Sequence, residues 1–327
     1  MSQKIFQFDP SKFAADFARD GYVHIKGGVT PWFHGEVVKQ VEESLVNRSM
    51  KEYAIGDKKQ AMYEFPEGGG GNFEDEVCMM VSKVVGEKFE DMVFSERHVK
   101  AYDAAASATP LAHKDRYASQ YSVGLSVHVK PGSTLVIYPE QETDINPFNT
   151  SVQMRSSLSP DRMPEAALSK ARKVEIKDAA GDLIVFRGHA MWHLRANPAL
   201  TTMLYFKMNA YHCDPLGEDR HSQTFRDNTI ANAESGDEKL AGLIPRIGRR
   251  VDHFHKFYNR DWREIPGVVL FNEKHFSLDQ DEFKMVQAMD GKKDVAAIVR
   301  ASETTDFAAG LGKIRRMARR GVIDLIV

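Results

Sequence analysis

The chain has 327 residues, 42% of them hydrophobic and 28% charged, with 44 Lys and Arg against 46 Asp and Glu for a formal net charge of −2. That is enough apolar material for one large domain with or without a satellite, and the even balance excludes a protein whose main role is to coat nucleic acid. The two distant cysteines, Cys78 and Cys213, exclude a disulfide framework and a thiolate-built metal site. The opening MSQKIFQFDPSKF lacks an apolar signal segment, and no apolar run reaches the ~18 residues of a membrane span. A cytoplasmic chain with no membrane partner is expected.

Residues 10–20 alternate at helical spacing, with Ser11 as the expected N-cap. Gly21 ends that helix, and Tyr22–Ile25 reads as a strand. Thr30-Pro31 opens a second helix running to about Val46. Residues 53–72 read as loop, and Gly68–Gly71 as a flexible lid, since no Lys-Ser/Thr follows to make a phosphate cradle. Residues 74–89 read as helix. From 92 to 212 short β-branched and aromatic runs alternate with turn residues, giving expected strands at 93–102, 119–129, 133–138, 173–177, 182–187 and 201–209. Such density argues for a sandwich or jelly-roll barrel, with 140–170 as a polar insertion.

Two segments carry the chemistry. In Pro110-Leu-Ala-His-Lys-Asp115, His113 and Asp115 are two apart, so on extended chain both side chains point the same way. In Gly181-Asp-Leu-Ile-Val-Phe-Arg-Gly-His-Ala-Met-Trp-His193, an apolar strand and a tight turn lead to two histidines, His189 and His193. A His and a carboxylate from one strand with a second His from another form the facial triad that holds Fe(II) and leaves positions open.

These segments resemble the phytanoyl-CoA dioxygenase family of Fe(II)/2-oxoglutarate-dependent oxygenases, over roughly residues 10–212. The likeness includes Asp20-Gly-Tyr-Val-His-Ile-Lys26, His113-Lys-Asp115, Gly132-Ser-Thr-Leu-Val-Ile-Tyr-Pro139 (with Glu140 where the family has Gly) and Gly181-Asp182 through Trp192-His193. It implies a double-stranded β-helix, a cupin-like jelly-roll flanked by helices. It implies iron held by His113, Asp115 and His193, with 2-oxoglutarate and O2 as co-substrates, and His193 is preferred to His189 because the family's ligand directly follows an aromatic or apolar residue. The Arg that the family uses for the distal carboxylate of 2-oxoglutarate is missing, and Met203 stands at its place. On an alternating strand Thr201, Met203, Tyr205 and Lys207 share a face, which makes Lys207 the substitute cation and Arg195 the second candidate. The presence of Asp115, which related halogenases lack, implies hydroxylation or desaturation of a small organic substrate.

After 214 the chain is polar. Residues 246–266, rich in Arg, Lys and aromatics, read as a connecting amphipathic helix ended by Pro266, after a barrel spanning 1–245. Residues 267–327 read as strand, helix, helix, helix, strand, and through Phe276-Ser-Leu…Phe283, Met289-Asp-Gly-Lys-Lys-Asp-Val-Ala-Ala-Ile298 and Arg319-Arg-Gly-Val-Ile-Asp-Leu325 they resemble, more loosely, the winged-helix modules that bind leader peptides. That likeness implies a peptide or carrier-protein partner; the other reading of the module is a docking or homodimerisation appendage. With 10 Lys and Arg against 9 Asp and Glu over 267–327, nucleic acid is not its expected ligand. Lys313, Arg316 and Arg320, on one helix face, are the expected contact surface. A non-catalytic binding protein on the same barrel is the reading of another class, and the intact His113, Asp115 and His193 set speaks against it.

Overall fold

The computed structural model describes residues 3–46, 54–55, 58–66, 72–142, 144–217, 219–271 and 274–327. These form two units, 1–211 and 212–327.

In the first unit the chain opens with a 3-10 turn, Pro10–Phe13, and not with a helix capped by Ser11. Asp9 is the cap, its carboxylate accepting from the Ser11 N–H and Oγ, because Pro10 fits the first helical position and leaves the residue before it as N-cap. Helix α1 (Ala14–Asp20) follows and ends at Gly21, whose φ of 73° is left-handed. Strand β1 (Tyr22–Ile25) comes next. Thr30 caps α2 (Pro31–Val41) by accepting from the Phe33 N–H, and a π-turn, Glu42–Val46, continues it. The stretch expected to be loop instead contains β2 (Ala54–Ile55) and β3 (Lys58–Met62). Strand β3 pairs with β4 (Val93–Tyr102) from Lys58↔Tyr102 to Met62↔His98. Gly68–Gly71 lie outside the described residues. Helix α3 (Phe73–Val85) buries Phe73, Val77, Met80, Val81 and Val84 at helical spacing.

The remaining strands are β5 (Tyr121–His128), β6 (Thr134–Tyr138), β7 (Val174–Ile176), β8 (Leu183–Phe186), β9 (Trp192–Ala196) and β10 (Thr202–Asn209). They complete an antiparallel seven-stranded sheet of order β1-β8-β5-β10-β4-β3-β2 and a three-stranded sheet β7-β6-β9. Strand β8 shows why the arrangement holds. Leu183 and Val185 join the core beneath α1–α3, while Ile184 and Phe186 pack on Leu135, Ile137 and Ile176 of the smaller sheet. A strand buried on both faces reads as a continuous apolar run, and antiparallel sheets enclosing such a core are consistent with a jelly-roll. The 140–170 insertion is partly built into this unit. It contains α4 (Ser151–Ser157) and α5 (Pro164–Ala167), and its Met154 and Leu168 pack on Trp192.

The second unit begins at 212, earlier than the expected boundaries at 245 and 267. It starts with α6 (Ser222–Ala233) and α7 (Asp237–Ala241). The expected connecting helix at 246–266 is β structure: the end of β11 (Ile244–Ile247), all of β12 (Val251–Tyr258) and the start of β13 (Glu264–Leu270). Val251 is buried, and the rest of β12 is half-exposed along its ladder with β13, so cross-strand pairing decides its state and helical amphipathicity does not. Pro266 does not end the region. It lies inside β13 just past the pairs that β14 (His275–Ser277) makes with 267–269, where no ladder N–H is needed. The expected run of three helices follows as α8 (Gln280–Ala288), α9 (Val295–Ala301) and α10 (Phe307–Arg320), then β15 (Ile323–Ile326). Strand β15 pairs with β11, while β14 pairs with β13. Lys313 and Arg316 of α10 are held by Asp279, Asp281 and Glu282 of the same unit, whereas Arg320 of the same face lies over the Phe276 ring.

Candidate metal centre

The central strands of the large sheet separate apolar and polar residues by strict alternation. Leu204, Phe206 and Met208 of β10 lie in the helix-covered core with Val123 and Leu125 of β5. The opposite face carries Tyr205 and Lys207 of β10, paired across the ladders with His98 and Glu96 of β4 and with Gly124 and Ser122 of β5. Small residues on β5 leave room in front of that face. A cavity of ≈600 Å3 opens there, with His113, Asp115, Glu96, His98 and Lys207 in its wall.

The His113–Asp115 segment is extended and clamped on both sides. His113 and His193 exchange two backbone hydrogen bonds of 2.9 Å each, and the Asp115 N–H donates to the Gly188 carbonyl at 2.9 Å. That pairing sets His113 and His193 side by side, ring centroids 4.4 Å apart. Lys114, between them in sequence, points the other way. It is buried, donates to the Asp144 carbonyl and lies over the Trp192 ring, and burial lowers its ammonium to about 8.

His113, Asp115 and His193 each offer one ligand atom, all within 4.8 Å of one another. The two oxygens of Asp115 face different partners. Oδ1 lies 3.8 Å from His193 Nε2 and 4.0 Å from His113 Nε2. Oδ2 accepts from Ser122 Oγ at 2.6 Å and from Lys207 Nζ at 2.5 Å, and Lys207 also donates to Ser122 Oγ. His193 Nδ1 is 3.0 Å from the Met191 carbonyl. A carbonyl only accepts, so the proton sits on Nδ1 and the lone pair of Nε2 faces Asp115 and His113. Such a backbone partner fixes the ligating tautomer of a metal-binding imidazole. Gly188 is required by the packing: a Cβ there would overlap both Ser122 Oγ and Asp115 Oδ2.

The protonation states suit a cation. Burial, with neighbouring His193, lowers His113 to about 3, although its ring is 43% exposed in the cavity. Burial also lowers His193. Burial opposes ionisation of Asp115, but Lys207 and the two imidazoles hold its carboxyl well below the usual range. Two neutral imidazoles and one ionised carboxylate are the forms in which these side chains bind metals.

The other expected residues fall in different places. His189 is outside the three-residue group. It lies near Tyr117 and Tyr211, and burial lowers it to about 4. Arg195 is buried in a two-pronged ion pair with Asp178 at 2.8 and 3.1 Å and also donates to Ser133. Sequence reading missed Ser122, Gly188, and Asn146, whose fully buried side chain donates to the Asp115 and Thr150 carbonyls. It also missed the polar wall on β4. There, burial favours protonation of Glu96, but the hydrogen bond and charge of His98, with Arg116 and Lys207, bring it to about 2. The signal for that wall was present, since Glu96, His98 and Lys100 alternate through an otherwise strand-like run.

No family model matches this chain, and no curated protein matches it. Among solved structures, the non-heme alpha ketoglutarate dependent carbocyclase SnoK from nogalamycin biosynthesis aligns at TM-score 0.44 and 13% identity, covering 67% of this chain and 90% of that one. EvdO2 from Micromonospora carbonacea var. aurantiaca, complexed with 2-oxoglutarate, aligns at TM-score 0.45 and 13% identity, covering 64% and 94%. A Pseudomonas putida prolyl-4-hydroxylase aligns at TM-score 0.38 and 11% identity, covering 64% and 94%. At these scores the reading of the site rests on this chain's own residues.

Proposed function

We propose that the chain is a non-haem Fe(II)- and 2-oxoglutarate-dependent dioxygenase that hydroxylates or desaturates an unactivated C–H of a small organic substrate. The observation that carries this reading is the split carboxylate of Asp115, with one oxygen turned to two imidazoles and the other held by Lys207 and Ser122. Two His and one carboxylate are the donor set of a facial-triad iron site; His113 and Asp115 line the cavity, His193 lies buried beside them, and no thiolate is among the three. Iron, 2-oxoglutarate and O2 together supply oxidising power that side chains lack.

The chain's own share is positioning. The Met191 carbonyl keeps His193 in its ligating tautomer. Ser122 and Lys207 occupy Oδ2 of Asp115, so that Oδ1 is the oxygen left for a metal. Lys207 is the proposed cation for the far carboxylate of 2-oxoglutarate because, though it also donates to Asp115 and Ser122, it lines the cavity, whereas Arg195 is outside that lining and is engaged by Asp178 and Ser133.

The test is anaerobic titration with Fe(II) and 2-oxoglutarate. A visible charge-transfer band should appear with both added, fail to appear with Fe(II) alone, and be absent from Asp115→Ala. No band from the wild-type protein at saturating iron and 2-oxoglutarate would overturn the reading.

A further inference from the structure

We propose that the C-terminal unit carries a second binding site, for a small molecule bearing a phosphate group, separate from the metal centre and independent of its assignment. A cavity of ≈700 Å3 lies wholly within residues 212–327, in the size range of small-ligand pockets. Its described lining holds seven Arg and Lys side chains but only two carboxylates, Asp219 and Asp324.

Both carboxylates are engaged inside the unit. Asp219 pairs with buried Arg249 at 2.9 Å. Asp324 accepts from the Arg249 backbone N–H at 3.1 Å. Arg226 is also occupied, donating to the Ala318 and Arg319 carbonyls at the end of α10. Arg250, Arg319 and Arg320 line the same cavity, and none has a carboxylate partner among the described residues. Buried Nε of Arg250 has no hydrogen-bond acceptor among the described residues. A cation cluster gathered without counterions is unfavourable unless an anion completes it.

The details favour phosphate. Guanidinium forks match phosphate oxygens in pairs, and three of them exceed what one carboxylate can neutralise. Arg250 is seated deliberately: Gly217 has φ +73°, and a Cβ there would overlap the Arg250 guanidinium. Ser222 and Gln223, the first residues of the 12-residue helix α6, lie in the wall and add the positive end of its dipole. Leu270 and Phe276 supply an apolar wall, with the Arg320 guanidinium 5.4 Å above the Phe276 ring. The site therefore suits a phosphate ester with an apolar or aromatic body.

Calorimetric titration of the full chain at low salt tests this, with ADP, pyrophosphate and adenosine as probes. ADP and pyrophosphate should each bind once per chain, and adenosine should not bind. Arg250→Gln and Arg319→Glu should each weaken ADP by about tenfold or more; Arg319 is exposed, so its variant should melt like the wild type even if Arg250→Gln does not. Lys207→Ala, in the other cavity, should leave ADP binding unchanged. The proposal is overturned if neither ADP nor pyrophosphate binds, if adenosine binds as well as ADP, or if ADP binding survives Arg319→Glu. Loss of ADP binding on Lys207→Ala alone would move the anion to the metal-centre cavity and likewise overturn it.

Discussion

Two ion-pair groups, one in each unit, show how burial changes what the same chemistry does. Arg195 and Asp178 meet in the barrel with side-chain exposures of 2% and 0%. Lys313 meets Asp279 and Asp281 at the surface of the C-terminal unit, with exposures of 19%, 41% and 38%. Water screens the second group and replaces either partner readily, whereas neither member of the first can be removed without stranding a buried charge. Lys207 and Asp115 lie between these cases. They are buried like the first pair, but they stand on a cavity wall, where ligands can take a share of the pairing.

Substitutions sharpen this contrast, and the largest effect belongs to the proposed metal centre. His193→Ala should abolish stoichiometric iron binding, while His189→Ala should lower it only modestly, as measured by iron content after anaerobic loading and desalting. The reverse outcome would place the ligand in the turn and not on β9. Next comes Arg195→Ala, which should destabilise the barrel by about 3–5 kcal/mol by leaving Asp178 unpaired. Chemical denaturation would read that loss, and iron bound per folded molecule should stay at wild-type level; a loss below ~1 kcal/mol would mean the pair is not buried in solution.

Lys207→Ala should raise the KM for 2-oxoglutarate at least tenfold, roughly 1.4 kcal/mol, with iron still bound. An unchanged KM would leave Lys207 as a partner of Asp115 only. The smallest effect should come from Lys313→Ala, which removes a partly exposed pair and should shift stability by less than ~1 kcal/mol. A larger loss there would erase the distinction between the two regions.

The barrel strands were legible because they are buried on both faces or alternate cleanly, as in Leu183–Phe186 and Thr202–Asn209, so local composition and final environment agree. His113 and Asp115 were legible for the same reason: two residues apart on extended chain means the same side. The stretch 246–264 was misread because its half-exposed strands carry charge and aromatics on both faces, leaving no dominant period. Strands β2 and β3 were missed because polar residues such as Lys58, Lys59 and Gln60 become strand only by pairing with β4.

The sequence by itself determined the candidate donor set, since the residue types His, Asp and His, their spacing, and the shared face of Tyr205 and Lys207 follow from covalent order and the two-residue period of a strand. Only the tertiary structure decided which cation each carboxylate keeps. Arg195 goes to Asp178, Lys207 to Asp115, and Arg250, Arg319 and Arg320 to no carboxylate among the described residues. Charge pairing depends on distances across strands and helices far apart in the chain and on how much water lies between them. No local pattern encodes either quantity.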